Sequence, residues 1–378
     1  MKKFSLLTMV VLASSLLLFG CGKEEEPDVV KENVVTEVTP GDTEDTKDDE
    51  QTEEPVNDDL PPEEGMARSP LTNEWVPEEV AEQRPLAVMI PNDKGALPHY
   101  NISNADILYE CLVEGEITRL MGIFGDWTDL ERIGNLRSCR DYFVYWAFEW
   151  DAIYVHAGGP FYIDEVISRK DTQNINALTA PKGVFYRTTD RSAPQNLYLD
   201  GADILKEADR LDYPLTARED KIDPIHFQFT TKSNPNTLED YDDAVNATKV
   251  DLSNAYPTTR TWFEYDESDG LYHRFQKTSG GAHKDAATGE QLAFKNLLIQ
   301  FTYHEVRDAK GYLAFQCIDS TRDGWYFTNG KGIHVNWEKV SDYGATRYYD
   351  DDGNEIKLNT GKTMICIVED GDTFAYSN

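Results

Sequence analysis

Between Gly22 and Glu64 the chain has no aromatic residue, and 18 of these 43 residues are Asp or Glu against three Lys. Such a tract cannot bury enough apolar surface to offset the entropy of ordering it. Any fold must therefore be built from the residues that follow. With Lys2 and Lys3 supplying +2 and the tract −15, the formal charge of −33 leaves −20 on residues 65–378. That body is long enough for a proper core and, by its size, for two domains. Its acidity argues against a general polyanion surface, because nucleic-acid affinity rests mostly on neutralising phosphates. No nucleic-acid partner is expected, although one small basic pocket is compatible with the charge.

Met1-Lys2-Lys3 is followed by an apolar run from Leu6 to Phe19, interrupted only by Thr8, Ser14 and Ser15. The run is short of the ~20 residues that span a bilayer and fits a secretory signal peptide over residues 1–20. It ends Leu18-Phe19-Gly20-Cys21, which resembles a bacterial lipobox and implies lipidation of Cys21. No later segment is apolar and long enough to span, so the expected anchor is lipid alone. The expected location is the extracytoplasmic face of the cell membrane. Residues 21–80 read as a lipid-anchored, disordered acidic linker, stretched by its like charges. Four more cysteines remain, with Cys111–Cys139 and Cys317–Cys366 as candidate disulfides in an exported protein. Their number is low for the length, so buried free thiols are the default.

Residues 84–232 alternate apolar strands with helical segments. Arg84–Ile90 reads as a buried strand, and Asp106–Val113 with Thr118–Phe124 reads as a hairpin across Glu114-Gly115-Glu116-Ile117. Asp141–Trp150 is helical in spacing, Ala152–His156 is a continuous strand, and Tyr162–Arg169 follows as a helix. Asp200 is placed to cap a helix running to Leu211. Residues 240–378 change to short strands separated by Asp269-Gly270, Gly280-Gly281, Asp323-Gly324, Asn329-Gly330 and Asp352-Gly353 turns. The fold class expected is α+β overall: an N-terminal α/β domain over 84–232, then a smaller, mainly antiparallel β domain over 240–378.

Several strings of the body resemble the YerB-type lipoproteins, a bacterial family without an established reaction. They include ADILYECLVEGEITRLMGIF (105–124), IGNLRSCRDYFV (133–144), AIYVHAGG (152–159), FYRTTDRSAPQNLY (185–198), HKDAATGEQLAFKNLLIQ (283–300) and RYYDDDGNEIKLNTGKT (347–363). The resemblance implies a lipoprotein address and a two-part body. Family members usually carry His before the Asn of the APxN string, where this chain has Gln195, so a catalytic imidazole there is not implied.

No metal or cofactor site is expected. His304-Glu305 lacks the second His of a zinc-protease helix, and the Asp319 run ends in Gly330 where a calcium loop needs Glu. The stronger constellation is cationic. Arg137 and Arg140 flank a strand-to-helix junction, and a second strand ends at His156 before Gly158 and Gly159. Helix N-termini offer free N–H groups and glycine admits a ligand to the backbone, while ligands of open α/β sheets lie at the carboxyl ends of strands. Arg119, Arg187, Arg191 and Asn196 are candidates to complete an anion pocket, since guanidinium suits phosphate and carboxylate. Glu110 and Glu114 are either counter-charges to the arginines or an acid–base pair. His283 and Asp285 read as loop-fixing residues.

The expected function is a membrane-anchored envelope lipoprotein that binds a phosphate- or carboxylate-bearing envelope ligand. The alternatives are an enzyme acting on phosphorylated cell-wall or lipid-linked glycan precursors and a non-catalytic scaffold for an envelope protein. The order of hairpin, arginines and glycine step is similar in pattern to LytR-type glycopolymer transferases, which is what raises the enzyme alternative.

Overall fold

Eleven strands of the protein join in one mixed sheet, and their apolar runs explain why. The computed structural model describes residues 60–378; Cys21, the signal peptide and most of the expected linker lie outside them. The strands of the large sheet are numbered here in chain order. They are β1 (Leu86–Pro91), β2 (Ile107–Val113), β3 (Ile117–Phe124), β4 (Ile153–His156), β5 (Asn174–Asn176) and β6 (Val245–Asn246). The later ones are β7 (Asn296–Thr302), β8 (Asp319–Thr328), β9 (Lys331–Lys339), β10 (Arg347–Tyr349) and β11 (Thr363–Glu369). The spatial order is β6-β9-β8-β7-β11-β2-β3-β1-β4-β5, with β10 added against β9.

The order carries a consequence for domain organisation. β11, close to the end of the chain, lies between β2 and β7 and is parallel to both. The change of sequence pattern near residues 232–240 is therefore crossed by the sheet, which runs on without a gap. β1 and β2 are both antiparallel to β3, and β4 and β5 are parallel to β1. β5, β4, β1, β2, β11 and β7 thus share one direction and place their carboxyl ends along one edge.

β1 and β2 are buried at every residue, as strands covered on both faces must be. The covers differ, and Tyr109 and Glu110 reveal them because successive strand residues face opposite ways. Tyr109 stacks on Trp146 of helix α1 (Asp141–Phe148), with ring centroids 6.0 Å apart. Glu110 turns to a second sheet of six strands, which includes Trp262–Asp266 and Leu271–Gln276. Six of the eight residues of α1 are buried, among them Tyr142, Phe143 and Trp146. An apolar helix of that kind belongs between layers rather than at the surface.

Several expectations need correction. The architecture is mostly β, because the helices of the first half are fewer and shorter than strand–helix alternation implies. The segment expected as a helix over Tyr162–Arg169 holds one short turn at Phe161–Ile163 and a four-residue helix at Asp164–Ile167. The linker does not extend to residue 80. Met66–Arg68 pairs with Trp75–Pro77, Leu71 is buried, and the Arg68 guanidinium lies over the Trp75 ring. Asp200 precedes helix α2 (Gly201–Arg210) but makes no cap bond; its carboxylate accepts from Arg132 N at 2.7 Å and Tyr186 OH at 2.9 Å instead.

Asp323-Gly324 is strand rather than turn. A Cβ on Gly324 would stand 2.6 Å from Ile299 O, so glycine here serves the close approach of β7 to β8. Asn329-Gly330 is the expected hairpin turn, with φ of +51° and +72° as a two-residue connection of that hand requires. Cys111, Cys139, Cys317 and Cys366 are all free and buried.

Candidate functional site

The two sequence junctions meet at the carboxyl edge of the sheet. Arg137 N donates to Met89 O of β1 at 2.8 Å, and Ala157 N, just past β4, donates to Arg137 O at 3.0 Å. Cys139 N donates to Gly158 O at 2.9 Å. The RSCR segment is thus stitched between the ends of two parallel strands, and Arg119 of β3 sits opposite Pro91 on the same edge. Gly158 has φ +67°, which favours glycine. A Cβ on Gly159 would come within 3.2 Å of Cys139 O, so its role is the close passage of these two segments.

The side chains then divide. Arg140 binds both oxygens of Glu114, through Nε at 2.9 Å and through Nη2, and donates to Cys139 O at 2.6 Å. Burial alone would lower its pKa; Glu114 outweighs this and raises it. Glu114 responds in kind, since burial would raise it and Arg140 holds it below the ordinary value. Arg119 is buried and donates from Nη1 to Ser138 O at 2.7 Å; among the described residues it has no carboxylate in contact and its Nε has no partner. Burial, then the neighbouring Arg140, pushes its pKa down to about 10, and Arg137 acts in the same direction. Arg137 is half-buried and makes no side-chain hydrogen bond or ion pair among the described residues; its Nε is likewise without a partner. Three guanidiniums therefore share a single carboxylate, and that carboxylate is taken by Arg140.

His156, a candidate for the pocket, is held as a structural histidine. It is fully buried, with Nδ1 against Gly158 O at 2.8 Å and Nε2 against Asn174 Oδ1 at 3.3 Å, and burial lowers its pKa. Arg191 donates to Ala96 O at 2.8 Å and Pro98 O at 3.1 Å, which fastens its loop to the segment after β1. Gln195 adds to that fastening through Nε2 to Asp93 at 3.1 Å. Arg187 and Asn196 engage one another at 2.8 Å, and Asn196 also donates to Thr188 O. The structure brings Arg119, Arg137 and Arg140 together. It uses His156, Arg191 and Asn196 to hold the surrounding loops.

Glu110 and Glu114 do not form a pair. Glu110 projects to the opposite face and meets Arg274 Nη2 at 2.7 Å, with both side chains fully buried. It also accepts from Asn92 at 3.0 Å, Thr118 at 2.7 Å and Thr261 at 3.1 Å. Arg274 continues into a chain of rings. Its Nη1 donates to His283 Nδ1, His283 Nε2 lies 3.0 Å from His99 Nδ1, and His99 Nε2 lies 2.7 Å from Pro91 O. Because Arg can only donate and a carbonyl can only accept, both tautomers follow: each histidine is neutral and carries its proton on Nε2. Burial pushes His99 down to about 4 and, helped by Arg274, puts His283 well below the usual range. Asp285 is loop-fixing, accepting from the backbone of Asn101 at 3.0 Å, Ser103 at 2.8 Å and Ala287 at 2.7 Å. Sequence reasoning does not single out His99 or Arg274, because neither lies near its partners in the chain. The even alternation of buried positions along Leu271–Gln276, which points Arg274 inward, is the one signal available.

Comparison with known proteins agrees with this architecture. Residues 71–214 match the model described as Protein of unknown function (DUF3048) N-terminal domain, and residues 250–365 match the corresponding C-terminal domain. YerB of Bacillus subtilis (strain 168), named as a candidate lipoprotein, is 30% identical over 310 residues, covering 82% of this chain and 88% of YerB. The crystal structure of Bacillus subtilis YerB superposes with a TM-score of 0.70 at 27% identity, covering 82% of this chain and 99% of that one. Among the described residues no helix is long and apolar enough to cross a membrane. The chain belongs to the DUF3048 family, the family of YerB.

Proposed function

We propose that this protein is a lipid-anchored envelope lipoprotein, attached through Cys21 at the extracytoplasmic face of the membrane, whose body binds a phosphate- or carboxylate-bearing envelope ligand. The address rests on the lipobox-like start and on the relationship to a candidate lipoprotein. The observation that carries the ligand reading is the pair Arg119 and Arg137. In a body with a large excess of carboxylates, these two guanidiniums have no carboxylate partner among the described residues and each leaves Nε without a hydrogen-bond partner there, at the carboxyl ends of parallel strands. Guanidinium is suited to bidentate recognition of phosphate and carboxylate, and that edge is where open sheets with parallel strands receive ligands.

Binding is favoured over turnover because no nucleophile, base and orienting group converge here. His156 has both nitrogens engaged, and Glu110 is locked to Arg274. The test is mass spectrometry of lipids and glycans that co-purify with the wild-type protein and with Arg137→Ala. The reading expects an anionic species in the wild type that falls at least tenfold in the variant. Equal recovery from both proteins would sink it.

A further inference from the structure

A cavity lies at the opposite, amino edge of the same sheet. It has a volume of about 520 Å³ and opens between Thr231, Pro235, Leu271 and Gly361. A second hollow of about 440 Å³ continues past Ile102 and Ser103, and the two share Asp269, Leu271, Ala293 and Lys362. Lys295 and Lys362 both line the larger one. They immediately precede β7 and β11, which pair in parallel from Asn296 and Thr363 onward. Lys295 N donates to Lys362 O at 3.0 Å. The two lysines therefore leave the backbone from neighbouring positions at the start of paired strands, and both side chains line the cavity.

Among the described residues neither ammonium makes an ion pair. Lys295 Nζ donates to Gly270 O at 3.1 Å and Asn329 Oδ1 at 2.6 Å, and Lys362 Nζ donates to Ser103 O. An ammonium has three donors, so one on Lys295 and two on Lys362 are unspent. Burial lowers the pKa of both. Glu74 and Asp269 line the larger hollow and Asp269 and Glu290 the second, but among the described residues none of the three makes an ion pair with Lys295 or Lys362. Glu74 binds Lys232 at 2.5 Å, and Asp269 accepts from Leu271 N at 3.0 Å and meets His273 at 2.8 Å. Asp106 accepts from Gly125 N at 2.8 Å, Asp285 holds the 101–103 backbone, and Glu290 is exposed.

The floor is also held in place. Thr328 donates to Lys295 O at 3.0 Å, and Asn359 bonds Thr328 at 2.9 Å and Asn236 O at 2.8 Å. At Gly361, with φ +137°, a Cβ would stand 2.8 Å from Lys295 Cβ, so glycine there makes room for the lysine stem.

We propose that this cleft is a binding site separate from the strand-end arginines, in which Lys295 and Lys362 together grip a phosphate or carboxylate group while Leu271, Ala293 and Phe294 receive the apolar part of the ligand. Two adjacent cations on a rigid floor match one multivalent anionic group, and apolar walls strengthen the attraction by excluding water.

Lysine-selective ¹H–¹³Cε spectra of the full-length lipoprotein test this, with inorganic pyrophosphate and glutarate as separate probes. The proposal expects saturable shifts at Lys295 and Lys362 with at least one probe, and at least tenfold weaker binding in Lys295→Gln and in Lys362→Gln. A response to pyrophosphate alone assigns a phosphate ligand, and a response to glutarate alone assigns a carboxylate. Absence of a saturable shift with either probe overturns the site, as does affinity unchanged in both variants. If Lys362→Gln does not fold, Ala293→Leu narrows the cleft with both ammoniums intact and must weaken binding by the same factor; unchanged affinity there overturns the site too. The signal is read at these lysines, so the outcome is decided apart from the arginine edge.

Discussion

Glu110 accepts from three neutral donors and one guanidinium with no solvent access, and Arg274 opposite it is equally enclosed. Removing one partner of such a pair leaves a buried charge uncompensated. Glu110→Gln is expected to cost about 3–5 kcal/mol in urea unfolding; a loss under about 1 kcal/mol would mean that the cluster tolerates an unbalanced guanidinium. Arg137 is the opposite case. It makes no ion pair among the described residues, so Arg137→Ala should cost about 1 kcal/mol or less, the ordinary effect of a point substitution. Sequence could mark Arg137 and Arg140 as notable but not tell them apart. Both sit in RSCRD, and only the fold brings Glu114 onto Arg140. The Glu110–Arg274 contact spans 164 residues and the His99–His283 contact 184, so nothing local announces either.

At the scale of elements, acid should loosen the seam between the two sheets. His99 and His283 are neutral in the fold, with His99 at about 4 against an ordinary 6.5. Between pH 6.5 and 4 the unfolded chain takes up protons that the folded chain refuses, so stability falls as pH falls through that window. Glu149 extends the trend. Burial would raise its pKa, but Lys339, His226 and Thr346 outweigh this and hold it at about 2. Its contribution, present above the ordinary 4.5, is lost as pH drops toward 2. Urea midpoints measured from pH 7 to 3 should decline throughout, and His283→Asn should flatten the upper part of the curve. A flat wild-type profile between pH 6.5 and 4 would contradict the neutral-histidine chain. The strands themselves were largely legible. The 106–124 hairpin follows from two apolar runs about a turn, and the short strands after residue 240 from the turn dipeptides between them. Less helix forms around Tyr162–Arg169 than the composition implies: the crossover from parallel β4 to β5, residues 157–173, starts with Gly158-Gly159-Pro160 and holds only a short turn and a four-residue helix.

For the whole molecule, the interleaved sheet decides what can fold alone. β11 fills the place between β2 and β7, so a fragment of residues 60–232 would expose the fully buried edge of β2. Separately expressed fragments 60–232 and 240–378 should therefore show no dispersed NMR spectrum, and recover one only when mixed. Two independently folded fragments would contradict the shared core. A linear reading of the sequence finds the change of pattern near residue 240 but cannot see a late strand returning into an early sheet. The same arrangement puts the arginines and the lysine cleft at opposite ends of the strands, about 20 Å apart over the seven residues of β2. One body could thus hold two anionic groups without their sites competing.

The central claim, that the carboxyl-edge arginines receive an anion, is tested most directly at their Nε–H groups. Arginine Nε–Hε spectra of the full-length protein should be followed as inorganic phosphate and then an envelope extract are added. The account predicts selective, saturable shifts for Arg119 and Arg137, whose Nε atoms are unbonded, with Arg140 held still by Glu114. Uniform shifts across all arginines, or none at Arg119 and Arg137, would contradict it.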